Sequence, residues 1–149
     1  MSFTSKKNGL SNLEKEFNKK VYGVFGITKK TNTRTDGNQY SNAQIAANAY
    51  YGIRQPIRDP FLKPAIQKQN QINARVAKLI QNTLPIPRRL LEILMIELRN
   101  NSIDAITTKG FGTWASNSPQ TIKAKNGKDT PLVDTTSFMR SVDYDVIDS

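Results

Sequence analysis

The sequence predicts an α+β fold, a small antiparallel sheet packed against two longer helices plus short helices, with extended loops or an arm. Three observations carry this. Two long stretches show apolar residues at helical spacing, on either side of a break at Pro85 and Pro87. Two β-like runs lie near opposite ends of the chain, at Val21–Ile27 and around Tyr144 and Val146. Between them sit several short segments with capping residues at their starts and Gly or Asn-Gly at their ends.

Taken in order, residues 1–20 read as a basic N-terminal arm and short helix, and 21–149 as a single α+β domain. Met1 to Asn8 is polar and reads as an arm. Leu10, Leu13 and Phe17 then recur at three- and four-residue spacing, marking one face of a helix that ends near Lys19-Lys20. Val21–Ile27 is β-branched and aromatic and reads as a strand. Thr28 to Asn38 is a polar loop with Asp36-Gly37 as its turn signal. Ser41 caps an Ala-rich helix that Gly52 terminates.

Asp59 and Pro60 open a helix predicted to run unbroken from about Phe61 to Gln81, with Pro64 in its first turn. Its stripe is Leu62, Ala65, Ile66, Ile72, Val76, Leu79 and Ile80. The next helix carries Leu90, Leu91, Leu94, Met95, Leu98, Ile103 and Ile106, and is the predicted core helix. Gly110 to Thr113 turns toward Trp114, the only tryptophan. Ser118-Pro119 starts a short helix through Lys125, ended by Asn126-Gly127. Pro131 to Asp134 is extended, and Asp134 or Thr135 caps a last short helix before the final strand. The natural partner of that strand is Val21–Ile27.

Composition narrows the chemistry. The chain has 149 residues, about enough for one modest core, and 37% of them are apolar, so spare surface is left for loops or partners. No stretch approaches the roughly 20 apolar residues needed to span a bilayer, and Met1 to Leu10 does not read as a secretory signal. Cys and His are both absent. Disulfides, thiolate or imidazole zinc sites and Ser–His or Cys–His nucleophile pairs are therefore excluded. No catalytic, metal-binding or cofactor-binding residue is assigned.

The net charge is +10 and unevenly spread. Met1 to Arg34 holds eight basic residues against Glu14 and Glu16, whereas Asp104 to Ser149 is nearly balanced. Such a bias attracts polyanions. Lys6 and Lys7 in the arm, and Lys29, Lys30 and Arg34 in the loop, are the candidate contacts for DNA or an acidic partner. Arg88-Arg89 opens a helix, the end where cations are disfavoured, which points weakly to an external anion unless Glu92 pairs with them.

The acidic groups read structurally. Asp134 between Pro131 and the Thr pair has the pattern of an Asx or N-cap carboxylate rather than a catalyst. On a regular strand Asp143 and Asp145 share one face and Asp148 takes the other, so the three do not converge on a cation. Gly110-Phe111-Gly112 is too short for a phosphate cradle. Trp114 reads as a large core side chain.

Four patches in one order resemble a known family. Trp114, Ser118-Pro119-Gln120-Thr121-Ile122, Lys125, Pro131-Leu132-Val133-Asp134-Thr135 and Phe138-Met139-Arg140-Ser141-Val142 resemble the closing segment of phage virion-morphogenesis proteins, the neck and tail-completion proteins of tailed phages. Thr136 stands where that family usually has Gly. Upstream, Val21–Ile27 is similar to the family's first strand. Gln44 to Gly52 is similar to its small helix, with Tyr50 in place of an acid. Pro56-Ile57-Arg58-Asp59-Pro60-Phe61-Leu62 is similar to its Pro-x-Arg-x-Phe-Leu signature.

The resemblance spans about Val21 to Val146 and transfers no catalytic residue. It implies a structural virion protein, assembled in the host cytoplasm as a homo-oligomeric ring between portal or adaptor proteins and the tail. Genomic DNA would pass through the lumen without sequence-specific contact, and no membrane is involved. A tail terminator is the sister reading. A basic nucleic-acid-binding protein and a small carboxylate hydrolase are rivals from other classes.

Overall fold

The computed structural model describes residues 4–81, 86–132 and 136–148. Seven helices and two strands are present among them, in the order α1 (Thr4–Asn18), β1 (Val21–Ile27), α2 (Asn42–Tyr51), α3 (Leu62–Gln67), α4 (Gln69–Ile80), α5 (Pro87–Thr107), α6 (Pro119–Ala124), α7 (Ser137–Ser141) and β2 (Val142–Asp148). The architecture is α+β, as the sequence predicts.

The two strands pair antiparallel over seven residues, from Val21 opposite Asp148 to Ile27 opposite Val142. Period-two alternation then sorts their side chains. Val142 and Val146 point inward and are buried, while Tyr22, Val24 and Ile147 point outward and are exposed. Helix α5 packs against both strands and against α3 and α4, so it is the central element. It crosses β1 closely at Gly23, where a Cβ would lie 2.6 Å from Met95 Sδ. A larger residue there would force the Met95 side chain to move.

The local start and stop signals explain most element ends. Ser41 and Gln44 form a reciprocal capping box at the start of α2, and Gly52, left-handed at φ 70, ends it. Pro87 occupies the first turn of α5. The Ser118 side chain accepts from Thr121 N at the start of α6. Thr136 precedes α7 at φ 62 and ψ −6, a left-handed conformation that a β-branched residue resists.

Four expectations need correction. The polar start is not an arm up to Asn8: α1 begins at Thr4, because Lys6 and Lys7 are good helix formers and the lone Gly9 is tolerated. The helix expected over Phe61–Gln81 is two helices, jogged at Lys68 (φ −106, ψ 11), and no Gly or Pro marks the jog. Both pieces reach α5 this way. Only Ile72 of the predicted stripe is buried, whereas Leu62, Ile66 and Leu79 are exposed. On α5, Leu90 is exposed, and the buried side includes Ile93, Asn101, Ser102 and Ala105 beside Met95 and Ile106.

The main hydrophobic cluster is built from Ala46, Ile106, Phe138 and Val142, with Ile27, Ile45, Phe61, Ile103, Trp114, Leu132 and Met139 packed against it. It draws on β1, α2, the start of α3, the end of α5, the loops at Trp114 and Leu132, α7 and β2.

Candidate functional site

Arg58 organises the polar half of the domain. Its backbone N–H donates to Ala49 O at 2.8 Å, which fastens the extended segment after α2 to that helix. The residue is only 2% exposed. Its guanidinium forks onto two backbone carbonyls, with Nη2 donating to Ala115 O (2.9 Å) and Ser116 O (3.1 Å) and Nε to Ala115 O (3.3 Å). Nη1 donates to Gln55 Oε1 at 3.3 Å. The planar fork suits this task, which a lysine ammonium would do poorly. Burial lowers the Arg58 pKa, and the nearby Asp129 carboxylate opposes that shift.

Neighbouring groups complete the hub. Asp59 accepts from Phe61 N, Leu62 N and Lys63 N at 2.8–3.0 Å and so caps α3 with a buried carboxylate. The Phe61 ring meets Phe25 edge-on, centroids 6.2 Å apart. On the far side of residues 115–117, Asp129 accepts from Asn117 N (2.8 Å) and Lys109 Nζ (3.0 Å). These contacts hold its pKa at about 2, the Asn117 amide contributing most, then Lys109 and the Ser116 side chain. The chain just after Trp114 is thus clamped between Arg58 and Asp129.

A cleft of about 210 Å³ opens beside this hub, lined among others by Arg34, Arg58, Asn117, Thr121, Lys125 and Leu132. Its cations serve the fold's own acceptors, and no acidic side chain lines it among the described residues. Among the described residues no group of three or more acidic side chains lies together as a metal site would require. No helix among them is long and apolar enough to cross a membrane.

The predicted contact residues scatter. Lys29 is exposed just past β1. Lys30 pairs with Asp145 at 3.2 Å in an exposed ion pair. Arg34 is a correction: its side chain is 4% exposed, and it donates to Asp36 and to Asn42 Oδ1, so it orders its own loop instead of facing a partner. Asn42 Nδ2 in turn donates to Thr31 O at 2.8 Å. Lys6 and Lys7 lie at the start of α1.

The weak anion signal at Arg88-Arg89 has an internal answer. Arg88 meets Glu92 and Asp148 at 3.3 and 2.6 Å, and Arg89 meets Glu92 at 3.3 Å. Asp148 lies on the α5 side of β2, opposite in face to Asp143 and Asp145, as the strand period requires.

Among the motif residues, Arg58, Phe61, Trp114, Pro131 and Leu132 come together around the hub and the core. Pro131 is fully buried, and Leu132 takes a left-handed φ of 61°. Asp134 and Thr135 lie outside the described residues.

Sequence reasoning missed two features. Asp129 gave no signal, because its partners Lys109 and Asn117 are distant in sequence. The exposed apolar groups also went unremarked. Leu13, Phe17, Tyr22, Val24 and Ile147 are all exposed, and strand alternation with helical spacing could have found them. Comparison with family models, curated proteins and solved structures returns no match to this chain.

Proposed function

We propose that this chain is a structural subunit of the head-to-tail junction of a tailed bacteriophage, a neck or tail-completion protein that assembles as a ring around the DNA path. One observation supports the reading above others. The four patches that resemble the neck-protein family are spread over residues 21–142, and each sends a side chain to one hydrophobic cluster. Ile27 comes from the first, Ala46 from the second, Phe61 from the third, and Trp114, Leu132, Phe138 and Val142 from the last. Arg58 of the third patch also holds the carbonyls that follow Trp114 of the fourth. The left-handed backbone at Thr136, where the family usually has Gly, fits the same motif.

The surface suits assembly. More large apolar side chains are exposed than are buried among the described residues, which leaves area for neighbouring subunits. A head-to-tail interface repeated around an axis closes a ring, so each copy needs only a modest core. The role is non-enzymatic in this reading. Lys29 and Lys30, with Lys6 and Lys7, are the residues assigned to lumen DNA or an acidic neighbour.

Peptide mass analysis of purified particles tests the proposal. The expected result is this chain in intact virions, at several copies per portal. A soluble monomer absent from particles that binds DNA with steep salt dependence would instead favour the nucleic-acid-binding rival. A tail terminator would instead remain on tails purified without heads.

A further inference from the structure

Helix α1 shows little packing among its described side chains. From Ser11 to Lys20 every residue is exposed except half-buried Glu16. Its apolar positions Leu13 and Phe17 face solvent, Phe17 at 50% exposure. A lone 15-residue helix is marginal in water. The outer face of the sheet has the complementary problem. Tyr22, Val24 and Ile147 form an uncovered apolar strip, Tyr22 at 56% exposure, with Asp145 and Asp143 continuing it along β2.

The geometry points to one occupant: we propose that α1 of one copy docks on the outer β1–β2 face of the next copy, making the repeating contact of the ring. The inference rests on the ring reading and deepens it. Lengths match, since 15 helical residues span about 22 Å and a seven-residue strand about 23 Å. Apolar groups match, Leu13 and Phe17 against Tyr22, Val24 and Ile147. Charges match as well. The segment through Lys20 carries Lys6, Lys7, Lys15, Lys19 and Lys20 against two glutamates, while the sheet face carries Asp143 and Asp145. Asp145 faces Lys30 within its own chain, an exposed pair that contributes little and exchanges readily. Because the helix of one copy meets the sheet face of the next, the contact is head-to-tail and propagates.

The test uses two full-length double variants and sedimentation analysis. Leu13→Glu/Phe17→Glu removes the helix side, and Val24→Lys/Asp145→Lys removes the sheet side. All four positions are exposed or half-exposed, so thermal unfolding of each variant should match the parent and verify folding. The parent should form closed oligomers, and each variant alone should sediment as a single chain. An equal mixture should give dimers and nothing larger, because only one intact helix and one intact face remain to meet. As a second measurement, the chain has no native cysteine. A Phe17→Cys chain mixed with a Val24→Cys chain should therefore cross-link between copies, and neither should do so alone. Oligomers that persist in either double variant, or a mixture that stays monomeric, would overturn this contact and leave the ring reading standing. A parent chain that stays single at all concentrations, with α1 open to protease, would overturn both.

Discussion

Replacing Arg58 with alanine should unfold the domain at a much lower temperature, and the size of the effect follows from its contacts. The guanidinium is buried and is the donor to Ala115 O and Ser116 O. Alanine removes these hydrogen bonds from a charged donor, each worth about 1.5–3 kcal/mol. It also removes the packed aliphatic stem. Relief from burying a charge offsets part of this. The net loss is about 3 kcal/mol, which for a chain of this size lowers Tm by about 6–12 °C. Lysine keeps the charge and the stem but cannot fork onto both carbonyls, so Arg58→Lys should lose about half as much. Thermal melts followed by far-UV circular dichroism and by fluorescence of Trp114, the sole tryptophan, measure both effects. An Arg58→Ala Tm within about 2 °C of the parent would refute the hub reasoning, because removing a buried guanidinium together with its charge-assisted hydrogen bonds costs stability.

Three further outcomes are expected. Asp129 has a folded pKa depressed to about 2, so its stabilisation is fully present above the ordinary carboxylate pKa and is lost as pH falls from about 4 through 2. Asp129→Asn should flatten that acid limb of the stability–pH profile, and an unchanged limb would count against the Asn117 and Lys109 contacts. Thr136→Gly should stabilise, because it relieves about 1–2 kcal/mol of left-handed strain while unfolded-state entropy takes back about 0.5–1, so the urea midpoint should rise. Gly110→Ala should destabilise by about 2 kcal/mol or more, since its φ is +64 and the new Cβ would fall on the Trp114 indole. A shifted Trp114 emission spectrum should accompany it.

Much of the frame was legible in the sequence because its signals are local. The capping residues at Ser41 and Ser118, the stop at Gly52 and the proline at the start of α5 act within one turn. The pairing of the first strand with the last was legible too, since both runs are β-rich and no other partner offers itself. What was not legible depends on distant partners. The jog at Lys68 carries no breaker and answers to the docking of two short helices on α5. Arg34 looked like a free cation because Asp36 and Asn42 are read as polar loop until the loop folds around them. Arg58 was singled out only through its motif. Its burial against residues 115 and 116 lies some 57 positions away. Likewise α1 reads as amphipathic from Leu13 and Phe17, but sequence alone does not say that its apolar side stays uncovered.

The central claim, that this chain is a phage head-to-tail junction subunit, is tested most directly by imaging purified particles with the chain tagged at its C-terminus. The account predicts density for a closed ring of tagged subunits at the head-to-tail junction, coaxial with the DNA path. Tag density elsewhere on the particle, or none at all in particles that assemble and retain DNA normally, would contradict it.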